Sequence, residues 1–143
     1  MFRKSLFAVA ALGLSLISGS ASASCLFPQE DGNWRNVDRS TRSITTTNID
    51  FTCQDVILKG QRPGPSWHLR LWGSCSPTDC DWGKKAARKL DSGWIYAYYD
   101  QGFAKRHVYA RMSGADRLRV YIRTDFSDPA RADYNSDNTF VRN

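Results

Sequence analysis

From Asp31 onward, apolar and polar residues alternate with a period of two, the spacing of strands that bury one face and wet the other. The clearest example is Trp67-His68-Leu69-Arg70-Leu71-Trp72, which puts Trp67, Leu69 and Leu71 on one face and His68, Arg70 and Trp72 on the other. Ala104 to Met112, with Val108, Ala110 and Met112 aligned, and Arg117 to Thr124, with Leu118, Val120 and Ile122 aligned, read as a hairpin through Ser113-Gly114-Ala115-Asp116. Earlier strands are predicted over Gly32 to Asp38, Ser43 to Ile49 and Phe51 to Leu58, the last ending in the breaker-rich run Lys59 to Pro65. Trp94 to Tyr99 forms an aromatic strand. Lys84 to Leu90 is too short for an unsupported helix and reads as a strand or a single turn. Phe126 to Tyr134 is turn-rich, and Thr139 to Arg142 supplies a last short strand. About eight short strands with almost no helix predict an all-β fold, a single antiparallel barrel with a sandwich as the alternative.

The first 23 residues break this pattern. Arg3 and Lys4 precede an apolar stretch from Leu6 to Ile17 and a small-residue Ala21-Ser22-Ala23 site, the layout of a secretory signal. A single domain over residues 24–143, secreted or periplasmic, is expected. The alternative is a lipoprotein acylated at Cys25, although the three residues before it include no Leu. No other run approaches the ~18 apolar residues of a membrane-spanning helix. Of the 20 basic and 14 acidic residues, the leader holds two basic and no acidic ones, so the remainder carries +4. This is a moderate charge, unlike that of a nucleic-acid binder.

In an exported chain, four cysteines point to two disulfides. The expected pairs are Cys75 with Cys80 and Cys25 with Cys53, contributing about 2 and about 3.5 kcal/mol on a loop-entropy argument. A zinc site is disfavoured because Cys25 and Cys53 each lack a closely spaced partner. The short ring sits in the densest stretch of the chain, Trp72 to Gly83, where two Trp, two Cys, two Asp, two Gly and a Pro fall within twelve residues.

Gly32-Asn33-Trp34 on the first strand, an up-and-down run of hairpins and a late Arg142 resemble the G-x-W and C-terminal Arg pattern of the calycins, the lipocalin and avidin group. The resemblance implies a barrel whose Trp closes one end while the Arg packs across it. The W-G-x-C-x-P-x-D-C-x-W-G stretch also resembles a loop of small secreted bacterial proteins, a likeness that implies no activity.

Candidate chemistry is sparse. There are two histidines and, outside the leader, one glutamate, with no G-x-S-x-G, H-E-x-x-H, Walker or dinucleotide motif and nothing that calls for a cofactor. One acid–base scheme survives, a small nuclease using His68 and His107 beside Arg111 or Arg70, and it requires the two rings to converge. Asp79 and Asp81 flank Cys80 and offer oxygens for a weak calcium site; otherwise Asp79 caps the turn and Asp81 pairs with Lys84 or Lys85. The outer face of the late hairpin is more informative. Lys105, His107, Tyr109 and Arg111 on one strand, and Arg117, Arg119, Tyr121 and Arg123 on the next, merge into a basic surface dotted with rings if the strands pair. Such a surface suits a carbohydrate or other anionic polymer. Eight rings, Trp34, Trp67, Trp72, Trp82, Trp94, Tyr96, Tyr98 and Tyr99, either line a barrel mouth or fill the core. The expectation is a non-enzymatic binding protein that engages its ligand with the Cys loop (Trp72, Asp79, Asp81, Trp82) and with Tyr109, Arg111, Arg117, Arg119, Tyr121 and Arg123. The alternative is an inhibitor that inserts the rigid Cys loop into a protein partner.

Overall fold

Alternating side chains need a second surface on which to bury their apolar face, and here the sheet supplies it by curling onto itself. The computed structural model describes residues 26–53 and 65–143. Eight antiparallel strands, β1 (Gly32–Asn36), β2 (Ile44–Phe51), β3 (Trp67–Gly73), β4 (Cys80–Lys89), β5 (Ile95–Asp100), β6 (Ala104–Gly114), β7 (Arg117–Phe126) and β8 (Tyr134–Arg142), pair in sequence order. β8 returns to β1, with Trp34 opposite Arg142, so the barrel is closed and the sandwich alternative is excluded. Leu69, Leu71, Ile95, Val108, Val120 and Ile122 fill the interior as the alternation predicts.

Several boundaries move. β2 takes in Phe51 and ends there, so Thr52 and Cys53 are not part of a strand, and the rest of the predicted Phe51 to Leu58 strand, from Gln54 onward, lies outside the described residues. The leader and the Cys25–Cys53 pairing, through Cys25, also lie outside them. The Lys84 to Leu90 segment takes the strand alternative and not the turn, as part of the ten-residue β4, which starts at Cys80 and ends at Lys89. β8 begins at Tyr134, five residues before the predicted Thr139, within the stretch read as turn. β1 stops at Asn36, short of Asp38, because the Asn36 side chain accepts the Asp38 N–H at 2.9 Å and turns the chain.

In an up-and-down barrel consecutive connections alternate between ends. The Cys loop between β3 and β4, the β1–β2 turn, the β5–β6 turn and the β7–β8 turn share one end. The β4–β5 and β6–β7 turns lie at the other. That second end is closed by Trp34, which is fully buried and donates its indole N–H to the Glu30 carbonyl at 2.9 Å. The Arg142 guanidinium lies 4.0 Å from the Trp34 ring centroid and donates to the carbonyls of Gln29 and Asp31. Gly32 is needed there twice over. Its φ of 130° disfavours any side chain, and a Cβ would come within 2.5 Å of the Arg142 guanidinium. Buried Glu30 is matched by Lys89 at 2.8 Å.

Candidate functional site

β5, β6 and β7 carry their apolar residues inward, which leaves the opposite phase of each strand on the outer wall. Antiparallel register then sets Tyr96 opposite Tyr109, and Tyr109 opposite Tyr121, in one row across three strands. A second row sets Tyr98 opposite His107, and His107 opposite Arg123. The rings touch. Tyr96 and Tyr109 lie 5.1 Å apart between centroids, Tyr98 and His107 5.3 Å, Tyr109 and Tyr121 6.2 Å, and Trp94 meets Tyr109 edge-on at 6.4 Å. Six rings thus form a continuous stripe outside a barrel whose interior already has its own core. A cleft of about 510 Å³ opens along it, lined by Leu90, Trp94, Tyr109, Tyr121, Arg119 and Arg123.

Guanidinium groups border the stripe. Arg111 and Arg119 lie 4.5 and 5.6 Å from the Trp94 ring centroid, and Arg88 lies 5.6 Å from that of Tyr96. Arg119 is held by both oxygens of Asp137, which raises the arginine pKa and lowers that of the aspartate. Arg123 bonds Asp125 at 3.0 Å, and its pKa is likewise raised. Among the described residues, Arg88, Arg111 and Arg117 have no carboxylate within ion-pair range. Burial pushes the Tyr96 phenol up, with the neighbouring Tyr109 adding to the effect. Tyr96 therefore stays neutral as a stacking surface at physiological pH. Tyr96 also bonds His107 Nδ1 at 2.9 Å, and His107 Nε2 lies 3.7 Å from Asp125.

The Cys loop is elsewhere. Cys75 and Cys80 are joined by a disulfide, and Ser74 through Asp79 are exposed at the end of the barrel away from Trp94 and Arg111. Trp72 faces outward from β3 under Arg70, 5.0 Å away. Asp81 pairs with Arg70 on the neighbouring strand, not with Lys84 or Lys85, and this contact together with the Gly83 N–H lowers its pKa. Lys84 goes instead to Asp50 at 2.6 Å. Asp79 accepts the Thr45 hydroxyl at 2.5 Å. The two carboxylates are thus turned to different partners, and no third ligating side chain gathers with them among the described residues. His68 on β3 and His107 on β6 have two strands between them, so the convergence that acid–base catalysis requires is not present. Trp82 is half-buried, edge-on to Tyr99 at 5.8 Å and beneath Arg106 at 4.5 Å, inside the barrel mouth and not projecting from it.

The candidates therefore separate. Tyr109, Arg111, Arg119, Tyr121 and Arg123 come together as the hairpin register demands, with Arg117 at the edge, whereas Trp72, Asp79, Asp81 and Trp82 belong to the other end. Trp94, Tyr96, Tyr98 and Arg88 join the first group without having been assigned to it. Their signal was the alternation in Ile95-Tyr96-Ala97-Tyr98-Tyr99, which sends Tyr96 and Tyr98 outward and Tyr99 inward. No family model, curated protein or solved structure matches this chain.

Proposed function

We propose that this is an exported, non-enzymatic binding protein whose outer β5–β7 wall holds an acidic glycan or similar anionic envelope polymer. The observation that carries the reading is the unbroken stripe of Trp94, Tyr96, Tyr98, His107, Tyr109 and Tyr121, bordered by arginines of which, among the described residues, Arg119 and Arg123 alone are paired with aspartates. Sugar rings stack on aromatic faces, and guanidinium forks pair with carboxylate or sulfate, so an extended acidic chain can use both along one wall. An oxidised Cys75–Cys80 ring fits an oxidising compartment. Kinship with the calycins is part of the proposal, and the packing of Arg142 across Trp34 in a closed eight-stranded barrel supports it. Affinity electrophoresis through gels containing alginate, a polyuronate, or neutral dextran tests the ligand class. Retardation by alginate that weakens with salt is expected; equal retardation by dextran, or none by either polymer, would refute it.

A second reading is favoured by the exposure of Ser74 through Asp79, which suits insertion of the disulfide-held ring into a protein partner. A partner retained from culture fluid by the parent protein but lost with Asp79→Lys would support it, and one retained equally by both would not.

A further inference from the structure

Arg106 occupies an unusual place for a cation. It is in phase with Ala104, Val108 and Ala110, all fully buried, so its side chain enters the barrel at the Cys-loop end and not the basic outer wall. Its Nε donates to Gln101 Oε1 at 2.7 Å, and Nη1 donates to Thr124 Oγ1 and Tyr134 Oη, both at 3.2 Å. The guanidinium lies 4.5 Å from the Trp82 ring centroid and 5.9 Å from that of Phe103. Every one of these partners is neutral. Among the described residues no carboxylate pairs with Arg106, and Nη2, with two N–H groups, has no acceptor. A half-buried guanidinium held by three hydrogen bonds, with an edge left over, is preorganised to take an acceptor from outside.

The space beside it fits such an acceptor. A cavity of about 320 Å³ is lined by Arg106, Trp82, Phe103, Tyr134, the Cys75–Cys80 disulfide and exposed Arg42. Ligand pockets run from roughly 300 to 1,000 Å³, so this one takes a molecule of about one ring. Two cations attract an anion there, while Asp81 on the same wall, although held by Arg70, disfavours a doubly charged group. The neighbouring rings give the body of such a molecule an apolar surface.

We propose that the barrel mouth is a binding site for a small, singly charged organic carboxylate of single-ring size, gripped by Arg106 Nη2 over the Trp82 ring, with Arg42 at the rim. The site is independent of the aromatic outer wall. It also gives the β3–β4 disulfide a role, that of holding one lip of the cavity in place.

D-Glucuronate and D-glucose serve as probes, because they share a ring and differ in the carboxylate. Titration of the full-length protein, followed by the NMR shift of the Trp82 indole N–H, is expected to show saturable binding of glucuronate and none of glucose. Arg106→Gln abolishes the response and Arg42→Gln weakens it at least threefold, whereas Tyr109→Ala on the outer wall leaves it unchanged. Arg42 is exposed and makes no ion pair among the described residues, so its variant decides the matter even if Arg106→Gln does not fold. An absent Trp82 response, an equal response to glucose, or unchanged affinity in Arg42→Gln would overturn the proposal.

Discussion

At the scale of single residues, the barrel depends on polar groups that are buried and satisfied. The Tyr99 hydroxyl donates towards the Leu69 carbonyl at 2.9 Å and the Gly83 carbonyl at 3.1 Å, and burial pushes its pKa well above the phenol range. Below the ordinary tyrosine pKa of about 10, both folded and unfolded chains keep this proton and it adds no pH dependence. Above it the unfolded chain ionises while the fold cannot, so stability falls as pH rises, by about 1.4 kcal/mol per pH unit from this group. Tyr99→Phe removes that slope and costs about 1–3 kcal/mol at neutral pH for the loss of the one O–H donor that the two carbonyls share. Urea unfolding between pH 8 and 11 is expected to show the gap between parent and variant closing as pH rises; a constant gap would contradict it. At the opposite end, Arg142→Ala loses the stack on Trp34 and two carbonyl contacts, an expected cost of about 1–3 kcal/mol by the same measurement.

At the scale of elements, β4 and the bulge within it govern the mouth. Arg70 pairs with Lys84 and Trp72 with Asp81, so Trp82 and Gly83 together oppose the single residue Leu71. Gly83 supplies the left-handed φ of 83° that this bulge needs, and its carbonyl receives Tyr99 while Trp82 turns into the mouth. Gly73 on β3 makes room, because a Cβ there would lie 2.9 Å from Trp82 Nε1. Gly73→Ala is therefore expected to displace Trp82, changing the near-UV circular dichroism while leaving the far-UV spectrum intact; an unchanged near-UV spectrum would contradict this packing. Replacing Cys75 and Cys80 by Ser is expected to cost about 2 kcal/mol, since the ring is short, and to leave the barrel closed. Element types were legible where one face is buried and the other wet, as in β3, β6 and β7. They were not legible in β4, where Ala87 is the one buried residue, nor at the start of β8, where Tyr134-Asn135-Ser136-Asp137-Asn138 contains no buried side chain. Those segments are strands because their neighbours offer hydrogen-bond edges, and a local pattern does not register that.

At the scale of the whole molecule, closure turns a linear alternation into two separate surfaces, an outer wall and a mouth. The outer wall was partly legible, since Tyr109, Arg111, Arg119, Tyr121 and Arg123 lie on two strands joined by a hairpin, and pairing follows from the turn. Extending it to Trp94, Tyr96 and Tyr98 required knowing that β5 pairs with β6, and separating it from the Cys loop required knowing which connections share an end. Arg106 was hidden because a charged residue reads as outward-facing unless its phase with Val108 is given more weight than its charge. In the function proposed above, stacked rings on the β5–β7 wall and the guanidiniums of Arg111 and Arg117, which make no ion pair among the described residues, together hold an acidic polymer. Isothermal titration of alginate oligomers against the parent, Tyr109→Ala/Tyr121→Ala and Arg111→Glu/Arg117→Glu tests it most directly. Each double variant is expected to stay folded and to bind at least tenfold more weakly, with the salt dependence lost only in the arginine pair; parent-like binding by both would show that the wall is not the binding surface.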